Sequence, residues 1–385
     1  ALEIVDNIRP TLEEENLQPA RLKIQSQFLE HVMAHAPGYP KLMAMTDEQI
    51  MPTPAAVGMI MERVAQTRSI NILGVDIGGA TTDVFSVFDG HFNRTVSANY
   101  GMSYSISNVV AEAGLNNVMR WVPFDVDEAQ LRNRIKNKMI RPTSIPYLME
   151  DLEIEQAICR EALRLSFEQH ALLADGLKGV QHQAEIGSIF SQGEKRSLID
   201  PMRLDMLIGS GGVLSHAPER WQTAWMLLDS YLPCGITQLA VDSIFMMPQL
   251  GVLSSILPEA AAYVFEKDCL IELGTCVAPR FTNGRALAPG QDLLKVELEG
   301  QAPFTLHMGE IKVQKLPVGQ SIKARLFPLS RTDLGQGAGQ VVECVLKGGT
   351  TGLIFDGRGR EPFVLPQERS VLINKLQEWK AALKG

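Results

Sequence analysis

Cysteine is scarce in this chain of 385 residues: there are five, an odd number, none at C-x-x-C spacing and none beside a histidine pair. That excludes a disulfide scaffold and a zinc ribbon, and the five read as reduced thiols of a cytoplasmic protein. Long apolar runs are missing as well. Residues 221–258 lack Lys and Arg, but they hold Asp229, Asp242 and three prolines, so they read as protein core rather than bilayer span. Neither sign of charge dominates: 36 Lys and Arg stand against 44 Asp and Glu, a net −8. This argues against a nucleic-acid coat and against a membrane-surface binder. No basic or apolar leader opens the chain. It starts Ala1-Leu2-Glu3 without Met, as expected of a fragment or a processed form.

What is present is ordinary globular composition, 45% apolar and 21% charged, long enough for two or three domains. The charge is uneven. Residues 1–284 carry 22 basic and 34 acidic side chains, and residues 285–385 carry 14 and 10. A domain boundary is therefore expected near Gly284.

Residues 1–70 read as helical, with Leu17, Ala20 and Leu22 loosely spaced and Ile24, Phe28, Val32 and His35 near one face. Thr53-Pro54 opens a further helix. From Asn71 the texture changes to strand, Gly-Gly turn, strand, Asp89-Gly90 turn, strand: an antiparallel meander to Ala98. A helix over 105–113 follows, then charged helical segments over 125–175 broken at Pro142 and Pro146. A strand at 204–209 precedes an apolar helix to Tyr231, a strand at 236–242 and a helix between Pro248 and Pro258. After Cys269, short apolar segments separated by Gly, Pro and Asn predict an all-β barrel or sandwich, closed by a helix over 366–383 with Val371, Leu372, Leu376 and Trp379 on one face.

Two glycine motifs carry chemistry. In Asp76-Ile77-Gly78-Gly79-Ala80-Thr81-Thr82-Asp83, adjacent glycines let backbone N–H groups approach an anion. Thr81 and Thr82 add hydroxyl donors, and an acid at a strand end can hold a Mg²⁺ shell or orient a water. It is neither a Walker loop nor G-x-G-x-x-G, and the alternative is a plain Gly-rich hairpin. Gly209-Ser210-Gly211-Gly212 also follows a strand and leads into a helix, where a flat ligand can lie on the backbone and an anion is favoured. The setting of Ser210 is not a hydrolase elbow. Weaker candidates are His216 beyond that loop, Asp242 as either a cleft residue or a strand cap, and Arg358-Gly359-Arg360 as either an anion clamp or a solvated hairpin tip.

A strand–Asp-x-Gly-Gly–Thr–Asp hairpin followed far downstream by strand–Gly-x-Gly-Gly–helix resembles the superfamily of actin, heat-shock chaperone and sugar-kinase ATPases. Residues 50–57, 75–84, 94–96, 101–105 and 209–214 sharpen this to the MutL family of glutamate-mutase accessory proteins, unrelated to the mismatch-repair protein of that name. The resemblance covers roughly residues 10–275. It implies an α/β actin-like (ribonuclease H-like) ATPase lobe over 71–284 with a helical insertion at about 121–203, a helical lead-in over 1–70 and a C-terminal β domain over 285–385. It further implies ATP with Mg²⁺ as cofactor and a chaperone-like role beside an adenosylcobalamin-dependent aminomutase, with no nucleic-acid or membrane partner and a homo-oligomer left open. Asp76 would organise Mg²⁺ and the hydrolytic water. The run Gly78, Gly79, Ala80, Thr81, Thr82 and Asp83 would contact phosphate, and Gly209, Ser210, Gly211 and Gly212 would line the adenosine. The rivals are an ATP-dependent hydantoinase-type amidohydrolase subunit, which shares a similar signature, and a nucleotide-binding scaffold without hydrolysis.

Two departures stand out. Phe85 occupies a position where the family often has His. No Asp-x-Gly-x-Thr hairpin, the superfamily's first phosphate loop, occurs before Asn71. Loss of one oxyanion donor costs about 10²–10³ in rate. An ATPase assay on the 385-residue chain is therefore expected to show little or no turnover, restored by adding an N-terminal segment that carries such a hairpin. Robust turnover by this chain alone, abolished in Asp76→Ala, would show that the first loop is dispensable.

Overall fold

The computed structural model describes residues 2–11, 16, 18–32, 35–46, 50–176 and 198–385. Leu17 and the 177–197 part of the expected insertion lie outside the described residues. The chain divides into two units, residues 1–53 with 171–198 and residues 54–170 with 199–385.

In the first unit the described helices are α1 (Gln18–His31) and α2 (Tyr39–Met43). Ile24, Phe28 and Val32, expected to share an apolar face, are exposed. Helix α3 (Thr53–Arg68) leads into the second unit and buries Ala56, Val57, Ile60, Met61, Val64 and Ala65, a three-to-four-residue spacing.

The meander forms as the sequence indicates: β1 (Ile72–Ile77), β2 (Thr82–Phe88) and β3 (His91–Ser97). Helices α4 (Ile106–Ala113), α5 (Leu115–Met119), α6 (Glu128–Ile140) and α7 (Met149–Gly176) follow, with the prolines at 142 and 146 in the gap between the last two. Then come β4 (Met206–Ser210), α8 (Gly212–Ser215), α9 (Arg220–Tyr231) and β5 (Gly235–Asp242). The helix expected between Pro248 and Pro258 is α10 (Met247–Ser254), and a further helix, α11 (Pro258–Val264), follows it before β6 (Leu270–Ala278). The remainder is β7 (Arg280–Phe281), β8 (Asp292–Leu298), β9 (Phe304–His307), β10 (Ile311–Gln314), β11 (Ser321–Pro328), β12 (Thr332–Asp333), β13 (Val342–Lys347), β14 (Gly352–Asp356) and α12 (Arg369–Lys384).

One eight-stranded sheet runs β10-β14-β6-β5-β4-β1-β2-β3. Within it β1, β4 and β5 are parallel and β2 is antiparallel to both of its neighbours. The order β3-β2-β1-β4-β5 with this polarity is that of an actin-like, ribonuclease H-like lobe. Phe85 is core: it packs with Ile72, Met206 and Ile208 of the sheet against Ile60 and Met61 of α3 and Met247 and Phe265 beyond β5. The C-terminal region is antiparallel, with a four-stranded sheet β13-β11-β8-β9. Two of its strands, β10 and β14, extend the large sheet, and Val277 of β6 shares a core with Leu294, Leu326 and Phe355. On α12, Leu372, Leu376, Trp379 and Leu383 are buried, whereas Val371 is exposed.

Arg358 and Arg360 are neither an open clamp nor a solvated tip; both are 1% exposed. Arg358 donates to Asp356 Oδ1 (2.9 Å) and Oδ2 (2.7 Å) and to Asp229 Oδ1 (2.5 Å). Arg360 donates to Asp356 Oδ2 (2.8 Å) and to the Pro233 carbonyl (2.9 Å), and Arg160 of α7 donates to Asp229 Oδ2 (2.7 Å). The clamp exists, but the carboxylates it grips belong to the protein. Burial opposes ionisation of Asp356, yet the Arg358 and Arg360 guanidinium groups outweigh it and hold the carboxyl well below the usual range.

Breaking a buried pair outright costs about 3–5 kcal/mol, an upper bound here because Asp229 keeps Arg160 and Asp356 keeps Arg360. Urea titration of Arg358→Met is expected to show a loss within that bound. Because the Asp356 carboxyl is depressed, its contribution is present above about pH 4 and is lost as pH falls below it. Stability of the wild type should therefore drop more steeply than that of the variant below pH 4. Unchanged stability of Arg358→Met would show the network to be energetically idle.

Candidate functional site

Register builds the site. Asp76 is opposite Asp83 across the β1–β2 pair and opposite Ser210 across the parallel β1–β4 pair. Gly209 is opposite Val241 of β5, one residue before Asp242. Side chains alternate along strands, so Asp83, Asp76, Ser210 and Asp242 form a row on the face that carries Phe85, Ile72, Ile208 and Ala240. The row lies at the carboxyl ends of the three parallel strands, where open α/β sheets bind ligands.

The row is buried, and part of it is unsatisfied. Asp76 is 6% exposed and Asp83 5%. Asp76 Oδ1, Asp83 Oδ1 and Ser210 Oγ have no hydrogen-bond partner among the described residues. Burial, with Asp242 nearby, pushes the Asp76 carboxyl up to about 6. Burial and the Asp76 charge push Asp83 up to about 7, against the opposing Arg94. Asp242 plays the capping role: its carboxylate accepts from the backbone N–H groups of Phe245 and Met247, each at 3.0 Å.

The glycine loop is pinned from outside. Gly78 N–H donates to the Thr81 carbonyl (2.8 Å). Met102 N–H donates to the Gly78 carbonyl, and Ser103 and Tyr104 N–H donate to that of Gly79, each at 2.9 Å. Thr82, fully buried, gives its hydroxyl to the Tyr100 carbonyl, so it locks the loop to this strap. A Cβ on Gly79 would point at Ser103 Oγ, 2.4 Å away, while one on Gly101 would strike the Ala80 backbone. Ala80 is exposed, and Gly78, Gly79 and Thr81 are half-buried. The strap 100–105 carries the family pattern; Gly101 is its one residue-type signature, since the bracing itself works through backbone N–H groups.

Gly211 has φ +100°, and a Cβ there would lie 2.1 Å from the Ile77 carbonyl oxygen. The second loop is thus pressed against the end of β1, and no other residue fits. Gly212 faces open space and Gly209 sits in β4. His216 is exposed at the end of α8. Behind β2 and β3, His170 of α7 bridges Ser86 Oγ and Thr95 Oγ1, each at 2.8 Å, and burial pushes its imidazole down to about 4.

Among the described residues no group of three or more His, Cys, Asp and Glu could hold a metal ion alone. All five cysteines are free, and burial pushes Cys159 and Cys276 up to about 12, so these two are inert thiols. No described helix is long and apolar enough to cross a membrane.

Sheet order defines the class as an actin-like, ribonuclease H-like lobe. The family described as MutL protein matches residues 1–269, and the chain belongs to it. It is 24% identical over 289 residues to Protein MutL of Clostridium tetanomorphum, a match covering 69% of this chain and 60% of that protein. The chain thus spans about three fifths of that relative's length. Among solved structures it is similar to the Acidaminococcus fermentans (R)-2-hydroxyglutaryl-CoA dehydratase component A, at a TM-score of 0.28 and 15% identity, over 67% of this chain and 87% of that one.

Raised carboxyl pKa values mean that Asp76 and Asp83 disfavour the folded state once both are ionised. That penalty is absent below about pH 4 and grows as pH rises through 6 and 7. Asp83→Asn should therefore be more stable than wild type by roughly 1–3 kcal/mol at pH 8 and nearly equal to it at pH 4. Chemical denaturation at both pH values, without nucleotide or divalent cation, measures this. A variant less stable at pH 8 would mean that Asp83 has a partner stronger than burial.

Proposed function

We propose that the chain is a nucleotide-binding, chaperone-like accessory factor that acts in the cytoplasm beside an adenosylcobalamin-dependent aminomutase and helps it recover from cofactor damage. Family membership supports the accessory role. The observation that carries the nucleotide reading is the row of buried, orphaned oxygens on Asp76, Asp83 and Ser210, set beside a glycine loop held on the Ile77 carbonyl. Unsatisfied buried oxygens are costly, and a hydrated cation with phosphate satisfies them.

The residues fit Mg²⁺ held mainly by phosphate and water, as that ion prefers, rather than by a protein cage. Asp76 would hold it and orient the attacking water. Backbone N–H groups of the Gly78–Thr81 loop would face phosphate oxygens, with Thr82 fixing the loop rather than donating. Gly209, Gly211 and Gly212 would line the nucleoside. Bound Mg²⁺ lowers nearby carboxyl pKa values and so removes the penalty that burial imposes on Asp76 and Asp83. Lobe closure would pass the nucleotide state to the partner enzyme.

Calorimetry with Mg-ATP tests the reading. Gly212→Val, whose side chain meets open space in the free protein, should weaken binding more than tenfold in a chain whose circular dichroism is native. Asp76→Asn should abolish the Mg²⁺ dependence of binding while folding normally. A folded Gly212→Val with unchanged affinity would remove this loop from the site. For the partner role, the chain with ATP should restore turnover of a mutase inactivated by damaged cobalamin.

A further inference from the structure

The run Gly348-Gly349-Thr350-Thr351-Gly352 is not used by the site above. Its glycines are explained by close approach. A Cβ on Gly348 would lie 2.2 Å from the Pro317 oxygen, one on Gly349 2.2 Å from the Gly274 nitrogen, and one on Gly352, at φ +100°, 2.5 Å from the Gln314 oxygen. Thr350 and Thr351 N–H groups donate to the carbonyls of Glu272 (2.9 Å) and Leu273 (2.8 Å). Packing therefore fixes the backbone here, but it does not call for a hydroxyl at 351.

Beside Thr351 opens a cavity of about 430 Å³, within the range of small-molecule pockets. Trp221, in the first turn of α9, lines it together with Arg220, Lys315 and Lys384. Trp221 and Thr351 are 8% and 9% exposed, and Trp221 Nε1 and Thr351 Oγ1 have no hydrogen-bond partner among the described residues. An indole N–H can only donate, and a threonine hydroxyl can donate. Glu219, whose backbone N–H donates to Gln222 Oε1 (3.0 Å) at the start of α9, and the terminal residue Gly385 line the cavity as well. The positive end of α9 adds to the same sign of field. Two orphaned donors, three cations and a helix start thus converge on one small space.

We propose that this cavity is a second ligand site, taking a small organic anion whose carboxylate or phosphate oxygens accept from Trp221 Nε1 and Thr351 Oγ1. Lys315 and Lys384 supply charge, and Arg220, held by the Ser215 carbonyl at 2.6 Å, is fixed in place. The proposal is independent of the nucleotide reading, since neither ATP nor the Asp76 row enters its test.

The test follows the indole N–H resonance of Trp221 in ¹H–¹⁵N spectra of the full chain, assigned with Trp221→Phe. Inorganic phosphate and succinate are titrated separately at constant ionic strength. At least one should shift the resonance saturably, with a Kd below about 1 mM. Thr351→Val and Lys315→Gln should each weaken that binding about tenfold. A response to phosphate alone assigns a phosphate ligand, and a response to succinate alone assigns a carboxylate. If Thr351→Val does not fold, Lys315→Gln at the rim carries the test. No saturable shift with either anion up to about 20 mM, or undiminished affinity in the folded variants, overturns the proposal in favour of water at both donors.

Discussion

The site depends on the register of β1. This six-residue strand is bonded on both sides, antiparallel to β2 and parallel to β4. Side chains alternate with a period of two, so a slip of one residue on either side would turn a carboxylate to the wrong face. The apolar residues below the row enforce the register. Ile72, Phe85 and Ile208 reach their common core only in the alignment that also groups Asp76, Asp83 and Ser210. Burial that stabilises the lobe is thus the same burial that raises the two carboxyl groups, and the cost is concentrated at the end of the sheet where a ligand can relieve it.

A second constraint joins distant parts of the chain. Arg160, Asp229, Asp356, Arg358 and Arg360 form one buried ionic network across α7, α9, β14 and the turn beyond it. Aromatic rings close it, with Arg160 over Trp225 and Arg358 over Trp379. Arg369 extends the docking of α12 by donating to the carbonyls of Met119, Val122 and Phe124. All of these pairings are made together only when the C-terminal segment is docked as it is here.

Much of this was legible in the sequence, and the limits have physical causes. The meander, the strand before each glycine loop and the α12 face are local patterns, set by turn residues and periodicity within a few positions. Membership of a sheet is not local: nothing in Ile311–Gln314 or Gly352–Asp356 says that these strands extend the large sheet. The two arginines at 358 and 360 read as either a clamp for an outside anion or a solvated tip, because Asp229, the partner of Arg358, lies 129 residues away. Thr82 was read as a ligand contact, but residue type alone cannot reveal that the Tyr100 carbonyl takes its hydroxyl. The orphaned oxygens could not be read at all, since satisfaction is a property of neighbours.

The ionic network also sets a timetable for the nascent chain. Asp229 emerges 129 residues ahead of Arg358. At synthesis rates of about 5–20 residues per second, it waits roughly 6–26 seconds for that guanidinium. In that interval Asp229 has Arg160 alone. The lobe cannot finish folding in the order in which it is made: Asp229 is fully matched only after Asp356, Arg358 and Arg360 have followed it.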